Sequence, residues 1–298
     1  TLVLVLGLII LVISVLYSGQ VVMPMKEVAG SIAMISSGDF NETMQITGYS
    51  EAEDISDKFN SMLSVLQNLE DARQEFVSNV SHELKTPITS VKVLAESLIG
   101  QENVPVELYQ EFMVDINEEL ERMNKIINDL LTLVKMDKNA SEVNISEVNI
   151  NEFLEAILKQ LQPIADKRNI EMIFESVRSV TAQVDEVKLA MAFRNLIENA
   201  IKYNYDNGWV RVSLNADHKF FYLKVSDSGV GIPEELQDSI FERFYRVDKA
   251  RSRETGGNGL GLAITRNAIL LHRGSIKVHS IEQQGTTFAV RIPLMYSE

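Results

Sequence analysis

Between Ile55 and Leu84 the apolar residues fall in steps of four and three: Ile55, Phe59, Met62, Leu66, Leu69, then Phe76, Val80 and Leu84. Arg73 fills the one polar position. That spacing is the seam of a coiled coil or helical bundle, and it excludes a strand, whose apolar residues recur at every second position. A helix with only a seam to bury needs a partner helix, so the sequence predicts a homodimer. Inside the run stands Ser81-His82-Glu83-Leu84-Lys85-Thr86-Pro87-Ile88-Thr89-Ser90. Proline in a helix interior removes one hydrogen bond and costs roughly 3 kcal/mol. The freed carbonyl is that of Glu83, so a bend is expected beside His82. His82 lies two residues past seam position Val80 and faces away from the packed interior. Thr86, four residues on, shares its face, while Glu83 is offset around the helix. A neutral imidazole near pH 7 is a competent nucleophile, and a neighbouring carboxylate can fix its tautomer. Arg73 is expected to be the weakest packed point of the seam, as an unpaired charge.

The rest of the chain divides around this helix. Its 298 residues suit several domains, and its net charge of −14 argues against a nucleic-acid partner. With no cysteine, disulfides and thiolate metal sites are excluded. Residues 1–17 open with an apolar run from Leu2 to Leu16, closed by Tyr17. Spanning a bilayer takes about 20 such residues, so the expectation is a truncated transmembrane helix anchored in membrane lipid. Residues 18–70 read as helix, connector, helix: Pro24 opens, Gly38-Asp39-Phe40 stops, and Glu51 restarts. Over 71–140 the histidine helix runs to about Ile99 and turns at Gly100–Pro105. A second amphipathic helix follows, with Tyr109, Phe112, Ile116, Met123, Ile127, Leu130 and Val134 inward. Two antiparallel helices, doubled, make a four-helix bundle. Asp137–Ser146 is a linker. Residues 147–296 alternate helices and strands, giving a two-layer α/β sandwich.

Three stretches of that last domain can carry chemistry. Asn195, Asn199 and Lys202 share one helix face, offering amide oxygens and an ammonium to a metal ion and phosphate. Asp227-Ser228-Gly229-Val230-Gly231 follows a strand, where a carboxylate can accept from an exocyclic amine and glycines admit a flat ring. Gly256-Gly257-Asn258-Gly259-Leu260-Gly261 leads into a helix whose first amides suit an anion. It is neither a Walker P-loop nor a dinucleotide fingerprint. Asp248–Glu254 is charged and without apolar period, with Arg251 and Arg253 available beside Arg246. His218, His272 and His279 read as ordinary surface residues.

Ser81–Ser90 resembles the phosphoacceptor box of the membrane-bound sensor histidine kinases of bacterial two-component systems. Pro24, Gly38-Asp39, Glu51, Ile55 and Phe59-Asn60 resemble the HAMP linker, a parallel four-helix bundle made by two chains. The asparagine helix, the Asp227 loop, Phe241-Glu242-Arg243-Phe244, the glycine segment and Gly285-Thr286 resemble the GHKL (Bergerat) ATP-binding fold. The resemblance covers residues 18–296. It implies that His82 accepts the γ-phosphoryl of ATP, with Glu83 as base and Thr86 orienting a water for a reverse phosphatase activity. It implies Asn199 as the Mg²⁺ ligand with Asn195 nearby, and Lys202, Tyr203 and Arg246 on phosphates or ribose. Asp227 would bind adenine, flanked by Gly229, Gly231 and Thr286, with Gly257, Gly259, Leu260 and Gly261 as a lid. The implied partners are a second copy and the receiver domain of a response regulator. The implied place is the plasma membrane of a bacterium, kinase domains in the cytoplasm. A GHKL ATPase driving conformational change and a non-catalytic scaffold are the competing readings.

Overall fold

The structure is a computed structural model that describes residues 2–18, 26, 50–100, 105–138, 143–247 and 257–296. The marks expected at Pro24, Gly38-Asp39, Arg251 and Arg253 lie outside these residues. The chain divides into two compact units after Val80.

In the first unit, helix α1 (Leu2–Tyr17) has 16 residues. At about 1.5 Å per residue it is shorter than the roughly 30 Å hydrocarbon core of a bilayer. Among the described residues no helix is long and apolar enough to cross a membrane. Helix α2 (Ser50–Ile99) spans 50 residues and retains Pro87 within it. The predicted seam is only partly buried: Phe59 is covered, whereas Ile55, Met62 and Leu69 are exposed. Arg73 corrects the expectation of an unpaired charge. Its guanidinium donates two bonds to Glu70, at 2.9 and 2.8 Å, on a side chain 71% exposed. One turn of helix brings carboxylate and guanidinium together in water, so no charge is buried.

In the second unit, α2 runs through Pro87 as one helix. The Thr86 hydroxyl donates to the His82 carbonyl at 3.2 Å and the Thr89 hydroxyl to the Lys85 carbonyl at 2.8 Å. Pro87 itself is buried. Helix α3 (Val106–Lys138) buries Ile126, Leu133 and Met136. Tyr109, Ile127 and Val134, expected inward, are largely exposed. Leu133 and Met136 join the core of the α/β domain, and Leu130 of the expected stripe packs against it.

The α/β domain begins with β1 (Ser146–Asn149), α4 (Ile150–Asp166), β2 (Glu171–Ser176), β3 (Thr181–Val184) and α5 (Glu186–Lys202). It continues with β4 (Trp209–Ala216), β5 (Phe220–Asp227), α6 (Gly261–Leu271), β6 (Ser275–Ile281) and β7 (Gly285–Pro293). One sheet runs β2-β4-β5-β7-β6, and β1 pairs with β3 apart from it. Among the described strands only β2 and β4 are parallel. The alternation in β4 and β5 buries Val210, Val212, Leu214, Phe221, Leu223 and Val225 on one face. Leu154, Leu161, Leu196, Ile197 and Ile269 of the three helices cover that face, giving the expected two-layer sandwich.

His272 overturns the surface reading. It is 1% exposed, its Nδ1–H donates to the Ala268 carbonyl at 2.7 Å, and its Nε2 accepts from the Asp185 N–H at 2.8 Å. Burial holds its pKa below the ordinary value. A neutral imidazole at the end of α6 thus pins the residue that caps α5, where Asp185 accepts from the Lys188 N–H at 3.0 Å.

Candidate functional site

Helix α5 exists because Leu189, Ala192, Phe193, Leu196, Ile197, Ala200 and Ile201 form a continuous buried stripe. The residues between them are thereby forced outward. Asn195, Asn199 and Lys202 line a cleft of about 730 Å³, and Glu198 stands between the two amides on the same wall. Asn195 is anchored, its Nδ2 donating to Thr265 Oγ1 at 2.9 Å.

The floor is the end of β5. Asp227 Oδ1 accepts from the N–H of Gly229 at 2.9 Å and of Thr286 at 3.2 Å. Burial pushes its carboxyl up to about 6, against those two backbone bonds. Both bonds fall on one oxygen, so Oδ2 remains to accept from a ligand donor. Space here is reserved by backbone: at Gly231, with φ +71, a Cβ would collide with the Ile281 carbonyl oxygen. Gly231 and Thr286 line the cleft. Gly229 does not; its role is the bond to Asp227.

The glycine segment forms the opposite wall. Gly257, Gly259 and Gly261 line the cleft, and a Cβ on Gly261 would collide with the Asn195 side chain. Gly259 has φ +70 and packs on Phe244, whose N–H donates to the Gly259 carbonyl at 2.9 Å and whose own φ is +65. Leu260 departs from its expected place: it is fully buried in the core, and only its backbone belongs to the segment, donating to Asn258 Oδ1 at 3.1 Å.

Cations gather at this end. Lys202 is held down to about 8, first by burial and then by the charges of Lys125 and Arg246. The Arg246 side chain is 8% exposed and reaches Glu83 Oε1 at 3.8 Å. Its Nε and Nη2 are buried without an acceptor among the described residues. Tyr203 lies beside Lys202, whose Nζ is 5.0 Å from its ring centre. Such a cleft can take a flat amine-bearing ring at Asp227 and a polyanion at the cationic end. Mg²⁺ keeps several waters and asks for only one or two protein oxygens. The amide of Asn199, with Asn195 and the Glu198 carboxylate beside it, fits that demand. Among the described residues no cluster of three or more His, Asp or Glu side chains is built to hold a metal alone.

His82 stands apart from the cleft. It is exposed and heads a groove along α2 lined by Lys85, Thr86, Thr89, Ser90, Val93 and Leu94. The link between the two places is Glu83, through Arg246. Sequence reasoning missed a further wall. Lys125, Asn128, Asp129 and Thr132 of α3 line the cleft, and Asp129 Oδ2 accepts from Asn258 Nδ2 at 2.7 Å. Their i, i+3, i+4, i+7 spacing is also that of any solvated helix face, so nothing in the pattern marked them.

Comparison with known proteins places the two regions separately. Residues 72–139 match the family model of the His kinase A (phospho-acceptor) domain. Residues 184–295 match that of the histidine kinase-, DNA gyrase B- and HSP90-like ATPases. The chain is 36% identical over 281 residues to the sensor protein kinase WalK of Staphylococcus epidermidis, covering 93% of this chain and 44% of that one. It is 37% identical over 276 residues to a WalK of Staphylococcus aureus, covering 90% and 64%. The chain therefore spans about half the length of the curated relatives it matches. Among solved structures, histidine kinase ThkA in complex with the response regulator protein TrrA is similar, with a TM-score of 0.63 and 25% identity over 76% of this chain and 64% of that one.

Proposed function

We propose, from the premise that this chain belongs to the sensor histidine kinases of two-component systems, that it phosphorylates its own His82 from ATP and passes the phosphoryl group to an aspartate of a response regulator. What carries this reading is one cleft that gathers Asn199, Lys202, Asp227 and three glycines, and whose Arg246 touches the carboxylate next to His82. Asp227 would accept from the adenine amine. Asn199 would hold Mg²⁺, which when bound neutralises phosphate oxygens. Lys202 and Arg246 would meet the phosphates, and the Nε and Nη2 N–H groups of Arg246, without an acceptor among the described residues, are suited to donate to them. His82 would present an imidazole nitrogen to the γ-phosphorus, forming the N–P bond as the bond to the ADP oxygen breaks. Glu83 would take the proton from the other ring nitrogen. Catalysis of this kind rests on positioning and charge neutralisation.

The exposed apolar residues of α2 and α3, Ile88, Val93, Met113 and Leu120 among them, support a second copy as partner, completing a four-helix bundle. The complex seen for the similar kinase ThkA with TrrA supports a receiver domain as phosphoryl acceptor. The groove around His82 and Thr86 is open to such a partner, and Thr86 would orient a water for dephosphorylating the regulator. Residues 18–70 are read as a HAMP linker and α1 as part of a membrane anchor. That reading puts the protein in the bacterial plasma membrane, with the kinase domains on the cytoplasmic side.

The test is incubation with γ-labelled ATP and Mg²⁺. Acid-labile label retained on the protein, and lost in His82→Gln with ATP binding intact, is the expected result. Label released only as inorganic phosphate would identify a hydrolysing ATPase instead. Label persisting in the variant would remove His82 from its role.

A further inference from the structure

The cleft is not built by the α/β domain alone. Helix α3, which belongs to the region matched as phospho-acceptor domain, turns Lys125, Asn128, Asp129 and Thr132 into it. This wall is fastened at two levels. Below, Leu133 and Met136 enter the core shared with α6. Above, Asp129 accepts from Asn258, and Asn258 in turn accepts from the Leu260 N–H at the start of α6. The fastening therefore ends on the backbone that leads into α6.

Lys125 is the cation of this wall, and its charge acts on Lys202 across the cleft. With Arg246 and Arg122 acting on the same ammonium, positive charge is concentrated at one end. Bringing like charges together in a partly desolvated site is unfavourable until an anion joins them. Arg246 meets the same need through two buried nitrogens, Nε and Nη2, whose N–H groups have no acceptor among the described residues. A donor so left costs free energy that a phosphate oxygen would recover. The local carboxylates answer this only in part: Glu198 acts on Lys202 and Asp129 on Lys125, but Asp129 also accepts from Asn258 and Glu83 reaches only Nη1 of Arg246, at 3.8 Å.

Resting on the nucleotide reading given above, we propose that Lys125 of the phospho-acceptor region binds the phosphates of the nucleotide held by the α/β domain, so that the bundle helix completes the ATP site. Nucleotide binding and the seating of the two domains are then one linked equilibrium. A triphosphate strengthens the seating, the seating strengthens triphosphate binding by the same factor, and the loss of a phosphate weakens both.

The experiment uses the whole chain. ATP, ADP and adenosine are titrated with Mg²⁺ present into wild type, Lys125→Ala, Lys125→Arg and the control Lys135→Ala. Lys135 is a cation of the same helix outside the cleft. Loss of one charge-assisted contact should weaken ATP binding about tenfold in Lys125→Ala. The loss should be smaller for ADP and absent for adenosine; Lys125→Arg should retain most of the affinity, and Lys135→Ala all of it. ATP binding within twofold of wild type in Lys125→Ala would overturn the proposal. So would an equal loss for adenosine, which would mean that Lys125 only supports the fold of the cleft. A wild-type chain that binds neither ATP nor ADP would sink the nucleotide reading itself, and this inference with it.

Discussion

Asp227→Asn separates what the carboxylate does for the ligand from what it costs the fold. Burial raises the Asp227 pKa from 3.8 to about 6, a difference worth about 3 kcal/mol. The folded protein keeps this proton up to about pH 6, whereas the unfolded chain releases it near 3.8. Stability from this group is therefore full below 3.8, declines as pH rises towards 6, and is lost above it. Asparagine carries no such penalty. It also keeps both backbone bonds, because the N–H groups of Gly229 and Thr286 point at the same oxygen. The variant should match wild type in stability near pH 4 and exceed it by at most about 3 kcal/mol at pH 7.5. Its amide NH₂ would, however, replace the free oxygen that faces the ligand, setting donor against donor. ATP affinity should then fall at least tenfold, as expected for a lost hydrogen bond to a charged group of about 1.5–3 kcal/mol. Urea unfolding followed through Trp209, the chain's single tryptophan, reports on β4 beside the site. A stability difference that does not grow with pH would refute the desolvation argument. An ATP affinity equal to wild type would refute the role of the second oxygen.

Asn199→Ala should remove the Mg²⁺-dependent part of ATP binding by calorimetry while stability stays within about 0.5 kcal/mol, because the amide lies on an outward face. Gly259→Ala should destabilise the α/β domain by about 1–2 kcal/mol in urea melts, since φ is +70 and the new Cβ would stand 2.7 Å from the Phe244 backbone. For His272 the folded pKa is lowered, so its stability is complete above about 6.5 and falls as pH drops through the folded value below it. His272→Gln should be weaker than wild type at pH 8 and lose less on acidification to pH 5.5, measured by urea midpoints at each pH.

The sandwich is legible in the sequence because its signals are local. Alternation in β4 and β5, the Asp185 cap of α5 and glycine before α6 each decide their own neighbourhood. The asparagine face is legible for the same reason, its spacing being fixed by the buried stripe behind it. What escapes depends on partners distant in the chain. His272 looks like any histidine after a helix, and only the Asp185 N–H, 87 residues away, makes it internal. Lys125 and Asp129 sit on a polar helix face whose occupant is another domain. Leu260 points inward because the backbone turns at Gly259, and a run of glycines carries no pattern that sets such a direction. Arg73 is the exception, because Glu70 stands three residues before it in the sequence and that spacing already offers the pair.

The strand order β2-β4-β5-β7-β6 has a consequence for how the protein is made. Strand β5 pairs on one side with β4, its hairpin neighbour, but on the other with β7, which leaves the ribosome about 60 residues later. Asp227 ends β5, yet one of its two backbone partners is the Thr286 N–H at the start of β7. Until that strand arrives, β5 is an open edge of apolar alternation, available to any other nascent strand. The carboxylate, meanwhile, lacks half of its support. The floor of the cleft is thus finished only when β7 arrives, by a contact of high sequence separation that is slow to find. A chain that stops short of Gly285 should emerge with its asparagine helix in place, no floor to the cleft, and a bare strand in the middle of the sheet.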